Sequence, residues 1–282
     1  MNLVFLVSPK TLRLQPLRLS PIQPQESSSP AKIQLMGLGV HAITEKECVA
    51  HIAGAWAAER GGWLHTVNLD HLRMICAGQF FPDAMPAADL CVCDGAPMVW
   101  ASRLQGTPLP ERVAGSDLIR SLTAAAAETK RRVFFLGGNP GSAEGAAAQL
   151  QKEFPGFEVA GIECPDFGFE KDPKQLAELT EQLVASQPHL VFVAVGAPKS
   201  ERLIQEWRKV VPAAWWAGVG ISFSFVIGEV KRAPRWMQVT GVEWIHRLLQ
   251  EPSRLAKRYL VHGLPFAARL FLHSLRQRFS RS

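Results

Sequence analysis

The stretch LCVCDGAPMVW, Leu90 to Trp100, decides how the chain is read. Four uncharged residues, LCVC, have the look of a short buried strand. They end in one acid, Asp94, followed by Gly95 and then by Pro97, a residue suited to the first turn of a helix. A strand that passes straight into a helix is half of a parallel β–α unit, and the same grammar recurs on both sides. IQLMGLGV precedes the helical TEKECVAHIAGAWAAERG; WLHTVNL, RRVFFLGG, FEVAGIEC, HLVFVAVG and AWWAGVG follow in turn, with helical segments between them. This rhythm predicts an α/β fold, a Rossmann-like parallel sheet with helices on both faces. Ligands of such sheets sit at the carboxyl ends of the strands, where Asp94 falls. A carboxylate there is placed to act as a general base, although Asp-Gly is also a common turn dipeptide, and position alone leaves both readings open.

Three segments follow from composition. Residues 1–30, with LSPIQPQESSSPAK, read as a flexible lead-in. Residues 31–230 carry the α/β pattern. Residues 231–282 hold eleven Lys/Arg against two acids, Glu243 and Glu251, a net of +9, whereas the whole chain carries +6. That tail is helical in pattern, with Pro252 and Pro265 each opening a helix. Trp236, Trp244, Tyr259, Phe266, Phe271 and Phe279 are interleaved with its charges. The combination suits a basic appendage lying on an anionic membrane surface, with nucleic acid and a merely solvated helical face as the competing explanations.

Other classes recede. MNLVFLV lacks the basic start and cleavage site of a secretory signal, and five cysteines without C-x-x-C pairs suggest reduced thiols rather than a zinc or redox site. The uncharged run Val210–Gly228 approaches the length of a membrane span, but its Pro and Gly content favours a buried strand, a loop and a short helix. No D-x-D pair, H-E-x-x-H or G-x-S-x-G occurs, so metal-diphosphate grips, zinc hydrolysis and serine hydrolysis lack their usual groups.

Two further constellations sit at strand ends. In HTVNLD, Thr66 and Asn68 leave the same face of a strand and could orient a sugar, while Asn68 is equally a helix N-cap. In FFLGGNPGSAE the glycines Gly137 and Gly138 form a turn into a helix start, a geometry that offers backbone N–H groups to phosphate. VGAPKSE repeats that logic, with Lys199 available to an anion.

Taken in order, TVNLDHL, CDGAPMVWASRLQGTPLPERVAGSDL, VFFLGGNPGSAE, VAVGAPKSE and GVGISFSFVIGEVKRAPRWMQVTGVEWIHRLLQEPSRLAKRYL resemble the WecG/TagA/CpsF glycosyltransferases over roughly residues 32 to 262. The resemblance implies an inverting transferase, peripheral on the cytoplasmic face of the membrane, that moves a sugar from a UDP-sugar onto a polyprenyl-diphosphate-linked sugar in cell-surface polysaccharide synthesis. It implies Asp94 as base, with Thr66, Asn68 and Arg112 in the active site and Arg247, Arg254 and Lys257 as basic tail residues. Two positions depart from the family pattern: Ser200 stands where Gln is usual, and Ser224 where Asp is usual, both near the expected donor pocket.

The expected mechanism needs neither cofactor nor metal. Asp94 takes a proton from the acceptor hydroxyl, and Arg112, Arg247, Arg254, Lys257 and Arg258 balance the departing diphosphate together with helix ends. Arg254 and Arg258, four apart, are expected on one helical face. A homo-oligomer is compatible with the sequence and nucleic acid is not an expected partner. A catalytically silent assembly partner, or a nucleotide-binding protein of the same fold, is the alternative.

Overall fold

The computed structural model describes residues 30–79 and 88–280. All but Pro30 of the expected lead-in lies outside the described residues. The first elements correct an expectation: IQLMGLGV is not one strand but two, β1 (Lys32–Leu35) and β2 (Leu38–His41), paired antiparallel. Met36 and Gly37 both have positive φ, 50° and 89°, as a two-residue hairpin turn with matching twist demands.

Helix α1 (Glu45–Ala57) starts at Thr44, whose hydroxyl accepts from the Glu47 N–H while Glu47 reaches back, a reciprocal cap written locally in T-E-K-E. There follow β3 (Gly62–Val67), α2 (Leu69–Cys76), β4 (Leu90–Cys93), α3 (Ala96–Gln105) and α4 (Gly115–Glu128). The second half contains β5 (Arg132–Gly137), α5 (Ser142–Glu153), β6 (Glu158–Glu163), α6 (Pro173–Ser186), β7 (Leu190–Ala194), α7 (Lys199–Val210) and β8 (Trp215–Gly218). The last six strands form one parallel sheet in the order β4-β3-β8-β7-β5-β6.

Both faces of that sheet are covered, which explains why the central strands are apolar throughout rather than alternating. Val92, Phe135, Phe192 and Trp215 meet the α1, α4 and α5 side; Trp63, Phe134, Val191 and Trp216 meet α6 and α7 through Leu183, Ile204 and Trp207. The crossover after β5 runs outward to β6, whereas that after β7 runs inward to β8. Right-handed connections of opposite direction put α5 and α7 on opposite faces, and the carboxyl edge opens between them.

The run Val210–Gly228 resolves into β8 and the short helix α8 (Ser222–Val226). Among the described residues no helix is long and apolar enough to cross a membrane. Beyond it come α9 (Arg235–Thr240), α10 (Glu243–Gln250), α11 (Pro252–Ala256), a wide π turn (Lys257–Gly263) and α12 (Leu264–Ser280). The π turn ends just before Pro265, which has no N–H with which to continue α-helical bonding. Pro252 opens α11 as expected.

The basic segment does not stand off from the rest. Helix α12 lies along α3, and Phe266 and Leu270 join Met98, Val99, Leu35 and Val40 in one buried cluster. Burial of Phe266 and Leu270 contributes roughly 1.5–3 kcal/mol each to that contact.

Candidate active site

The carboxyl ends of β3, β4 and β8 converge on Asp94. Its N–H donates to the Val67 carbonyl at 2.8 Å, which extends the β3–β4 ladder one residue and brings the side chain to the sheet edge. The Gly115 N–H, in the first turn of α4, points at Asp94 Oδ2 from 3.4 Å. Thr66 is buried, and its hydroxyl donates to the Gly218 carbonyl at 3.2 Å, tying β3 to the end of β8. A Cβ at Gly115 would lie 3.3 Å from Thr66 Oγ1, so glycine is what lets α4 approach both residues. Gly95 plays a similar part, although its φ of −115° is ordinary and needs no glycine. What it permits is close approach, because a Cβ there would stand 3.3 Å from the Leu69 nitrogen.

Electrostatics at Asp94 suit a base. Burial pushes its carboxyl up to about 7, opposed by Arg112 and by the Gly115 N–H, while Glu243 and Asp117 add to the rise. Cys93, directly before it, is pushed by burial up to about 12 and stays a neutral thiol.

Arg112 reaches this pocket from the α3–α4 connection but does not enter it alone. Its Nη1 donates to Glu243 Oε2 at 2.9 Å, and its Nη2 lies 3.9 Å from Asp117 Oδ2. Arg232 grips both oxygens of Asp117, with Nη2 to Oδ2 at 2.8 Å, and its Nε lies 3.4 Å from Glu243 Oε1. Burial raises Asp117, yet the hydrogen-bonded Arg232 outweighs it and holds the carboxyl below its usual range. Glu243 and Arg232 lie within the stretch that carries the family resemblance, but the sequence reading gives neither a role. Their partners are 131 and 115 residues away, beyond any local pattern.

Asn68 takes the capping role. Its Oδ1 accepts from the N–H groups of Asp70 and His71 at 3.0 and 3.1 Å, and its own N–H donates to His71 Nδ1 at 3.3 Å. Burial and then Arg258 lower His71 to about 4, so the ring is neutral. Behind Thr66 sits a buried pair that sequence reasoning did not single out, His65 and Glu201, 3.6 Å apart. Burial holds His65 neutral and raises the Glu201 carboxyl to about 7.

The donor-side candidates follow β5, β7 and β8 along the same edge. Gly137 and Gly138 have φ of 83° and 92°, and a Cβ on Gly138 would collide with Ser142 Oγ. Gly138 N–H is already given to Ala194 O at 3.0 Å, which fastens the turn to β7. Ser224 is buried and donates to Glu229 at 2.6 Å, and Asn139 Nδ2 donates to the same carboxylate at 3.1 Å. Glu229 thus brings a carboxylate to the corner where Ser224 lacks one. Ser200 is also buried, and its N–H donates to Gly196 O at 2.9 Å. Lys199, expected to be available to an anion, is paired with Glu170 at 2.7 Å and lies over the Phe167 ring. Between β4 and β5 lie three strands. At the usual inter-strand spacing the ends of β4 and β5 are about 19 Å apart along the edge, with the residues that follow β7 and β8 between them.

The basic tail residues do not pool at one point. Arg254 lies 2.7 Å from Glu251, and Arg247, stacked over Phe225, lies 3.7 Å from that same acid. Arg258 is directed to Asp70 at 2.9 Å in the first turn of α2, and Lys257 is exposed. Arg254 and Arg258 end on different partners, Glu251 and Asp70, although the backbone at Ala256 and Lys257 between them stays helical.

Comparison with known proteins identifies the family. The family described as "Glycosyl transferase WecG/TagA/CpsF family" matches residues 33–280. A protein of Bacillus spizizenii (strain ATCC 23059 / NRRL B-14472 / W23), named N-acetylglucosaminyldiphosphoundecaprenol N-acetyl-beta-D-mannosaminyltransferase, is 38% identical over 207 residues, 73% of this chain and 78% of the relative. A protein of Bacillus subtilis (strain 168) with the same name is 31% identical over 194 residues, 69% of this chain and 73% of its own. With an α/β sheet whose carboxyl edge gathers Asp94, Thr66 and Arg112, the chain belongs to the WecG/TagA/CpsF family and is a glycosyltransferase.

Proposed function

We propose that the chain transfers N-acetylmannosamine from a UDP-linked donor to N-acetylglucosamine carried on a polyprenyl diphosphate, as the names of its relatives describe for them. The observation that carries the reading is Asp94: a single carboxylate at the sheet edge, raised to about 7, with Arg112 beside it. In one in-line step the acceptor hydroxyl loses its proton to Asp94 as its oxygen bonds to the anomeric carbon. The bond from that carbon to the diphosphate breaks, UDP leaves with the electron pair, and the configuration inverts. A base near neutrality combines availability with driving force, which one carboxylate at its ordinary value would lack.

The donor would lie along the carboxyl edge of the sheet, which carries both groups of residues. Glu229, Asn139 and Ser224 supply hydrogen-bonding groups near Gly138, while Arg112 and the basic residues of the tail supply charge for the diphosphate without a metal. The tail also rests on the cytoplasmic membrane surface, where the polyprenyl acceptor is held, so the protein is peripheral and works in building a cell-surface polymer.

The test is UDP release by the full chain with a short polyprenyl-diphosphate N-acetylglucosamine acceptor, detergent and EDTA, across UDP-N-acetylmannosamine, its uronic acid and UDP-glucose. Acceptor-dependent turnover with the first donor, abolished in Asp94→Asn, is the expected result. Turnover that survives Asp94→Asn removes the base assignment. Silence with every donor, with and without chelator, favours a silent assembly partner.

A further inference from the structure

We infer that Glu243 is a positioning residue that couples docking of the tail to the reactive carboxylate, by holding Arg112 in a closed ring of four charges beside Asp94. The inference rests on the reading of Asp94 as the base.

The tail carries only two acids. Glu251 is spent within the tail on Arg247 and Arg254. Glu243 instead crosses to the core. From the first turn of α10 it meets Arg112 at 2.9 Å, with its side chain only 12% exposed. The ring alternates in sign: Arg112 lies between Glu243 and Asp117, and Arg232 between the same two acids. Without Glu243 the strongly basic tail would bring Arg232 toward Arg112 with only Asp117 to separate them. With it the ring is neutral, and Arg112 is oriented by a charge-assisted hydrogen bond from one side and a weaker contact from the other.

Asp94 lies in the field of this ring. The groups that face it are Arg112 from the α3–α4 connection, the Gly115 N–H and Asp117 from α4, Glu243 from α10, and the neutral Cys93 thiol from its own strand. Arg112 favours the ionised carboxylate, whereas Glu243 and Asp117 disfavour it. The sign follows directly: removing the negative charge of Glu243 makes Asp94 easier to ionise, so the acid limb of the rate profile moves to lower pH. A residue that served only to hold α10 in place would change stability without moving that limb.

The experiment records kcat/KM against pH for the full chain and for Glu243→Gln and Glu243→Asp, with thermal melting alongside. Glutamine keeps an oxygen for Arg112 but not the charge; aspartate keeps the charge on a shorter stem. The expected result is an acid limb displaced to lower pH in Glu243→Gln and unmoved in Glu243→Asp, whose kcat falls because Arg112 is less well held. A wild-type limb in Glu243→Gln, or equal displacement in both variants, overturns the coupling. Asp94→Asn in the same series separates the two ideas: activity in that variant counts against the base itself, while its loss together with an unmoved limb counts against Glu243 alone.

Discussion

Asp94 shows what a buried carboxylate costs the fold. Its folded value of about 7 lies above the ordinary 3.8, so the folded state binds a proton more tightly than the unfolded chain across that window. Stability contributed by the protonated form is complete below about 4 and is lost as pH rises through 7. Asp94→Asn is therefore expected to raise the melting temperature at pH 8 relative to wild type, with a smaller gain at pH 5, while turnover disappears. Wild-type activity should fall on the acid side of about pH 7, since the base must be ionised. Melting curves at the two pH values and a rate profile check both statements. At this scale the placement of Asp94 and Thr66 at strand ends was legible, because a β–α junction is a local pattern with a known direction, whereas Arg112 came only from the family resemblance. Asn68 was legible only as two alternatives, and the structure shows its Oδ1 taking the capping one.

Among elements, alternation of apolar strands with helices predicted the parallel sheet, but it misread β1 and β2. Both are short, and their separation rests on the backbone angles of Met36 and Gly37 rather than on hydropathy. The tail was readable as helical, yet nothing in its pattern told which neighbour its apolar face would meet. Helix α12 meets α3 and completes a core cluster. This contact bears on what a chain ending at residue 230 would do. Such a truncate uncovers Met98 and Val99 and loses Phe266 and Leu270, several kcal/mol of burial by the usual area relation, and is expected to aggregate or melt well below the full chain. Scattering and thermal denaturation of the purified truncate give the answer; a monodisperse protein of unchanged melting temperature would mean the α3–α12 contact contributes little.

For the whole molecule, charge and exposed apolar surface coincide. Trp236 is 64% exposed, Leu249 and Phe279 are each 76% exposed, and all three lie within the segment that carries +9. Anionic vesicles are thus expected to bind the full chain and neutral phosphatidylcholine vesicles to bind it weakly, with partial release at about 1 M salt, where the Debye length is about 3 Å. Co-sedimentation measures this; equal binding to both vesicle types would remove the electrostatic part of the docking.

By itself the sequence determined the α/β class, the strand ends that carry the candidate residues, and the charge contrast between core and tail, because periodicity, turn residues and composition act over short stretches of chain. Only the tertiary structure decided that Glu243 holds Arg112, that Arg258 turns to Asp70 rather than joining Arg254, and that α12 closes the core. Those outcomes depend on which distant segments pack together, and an ion pair across 131 residues leaves no local trace in either of its partners.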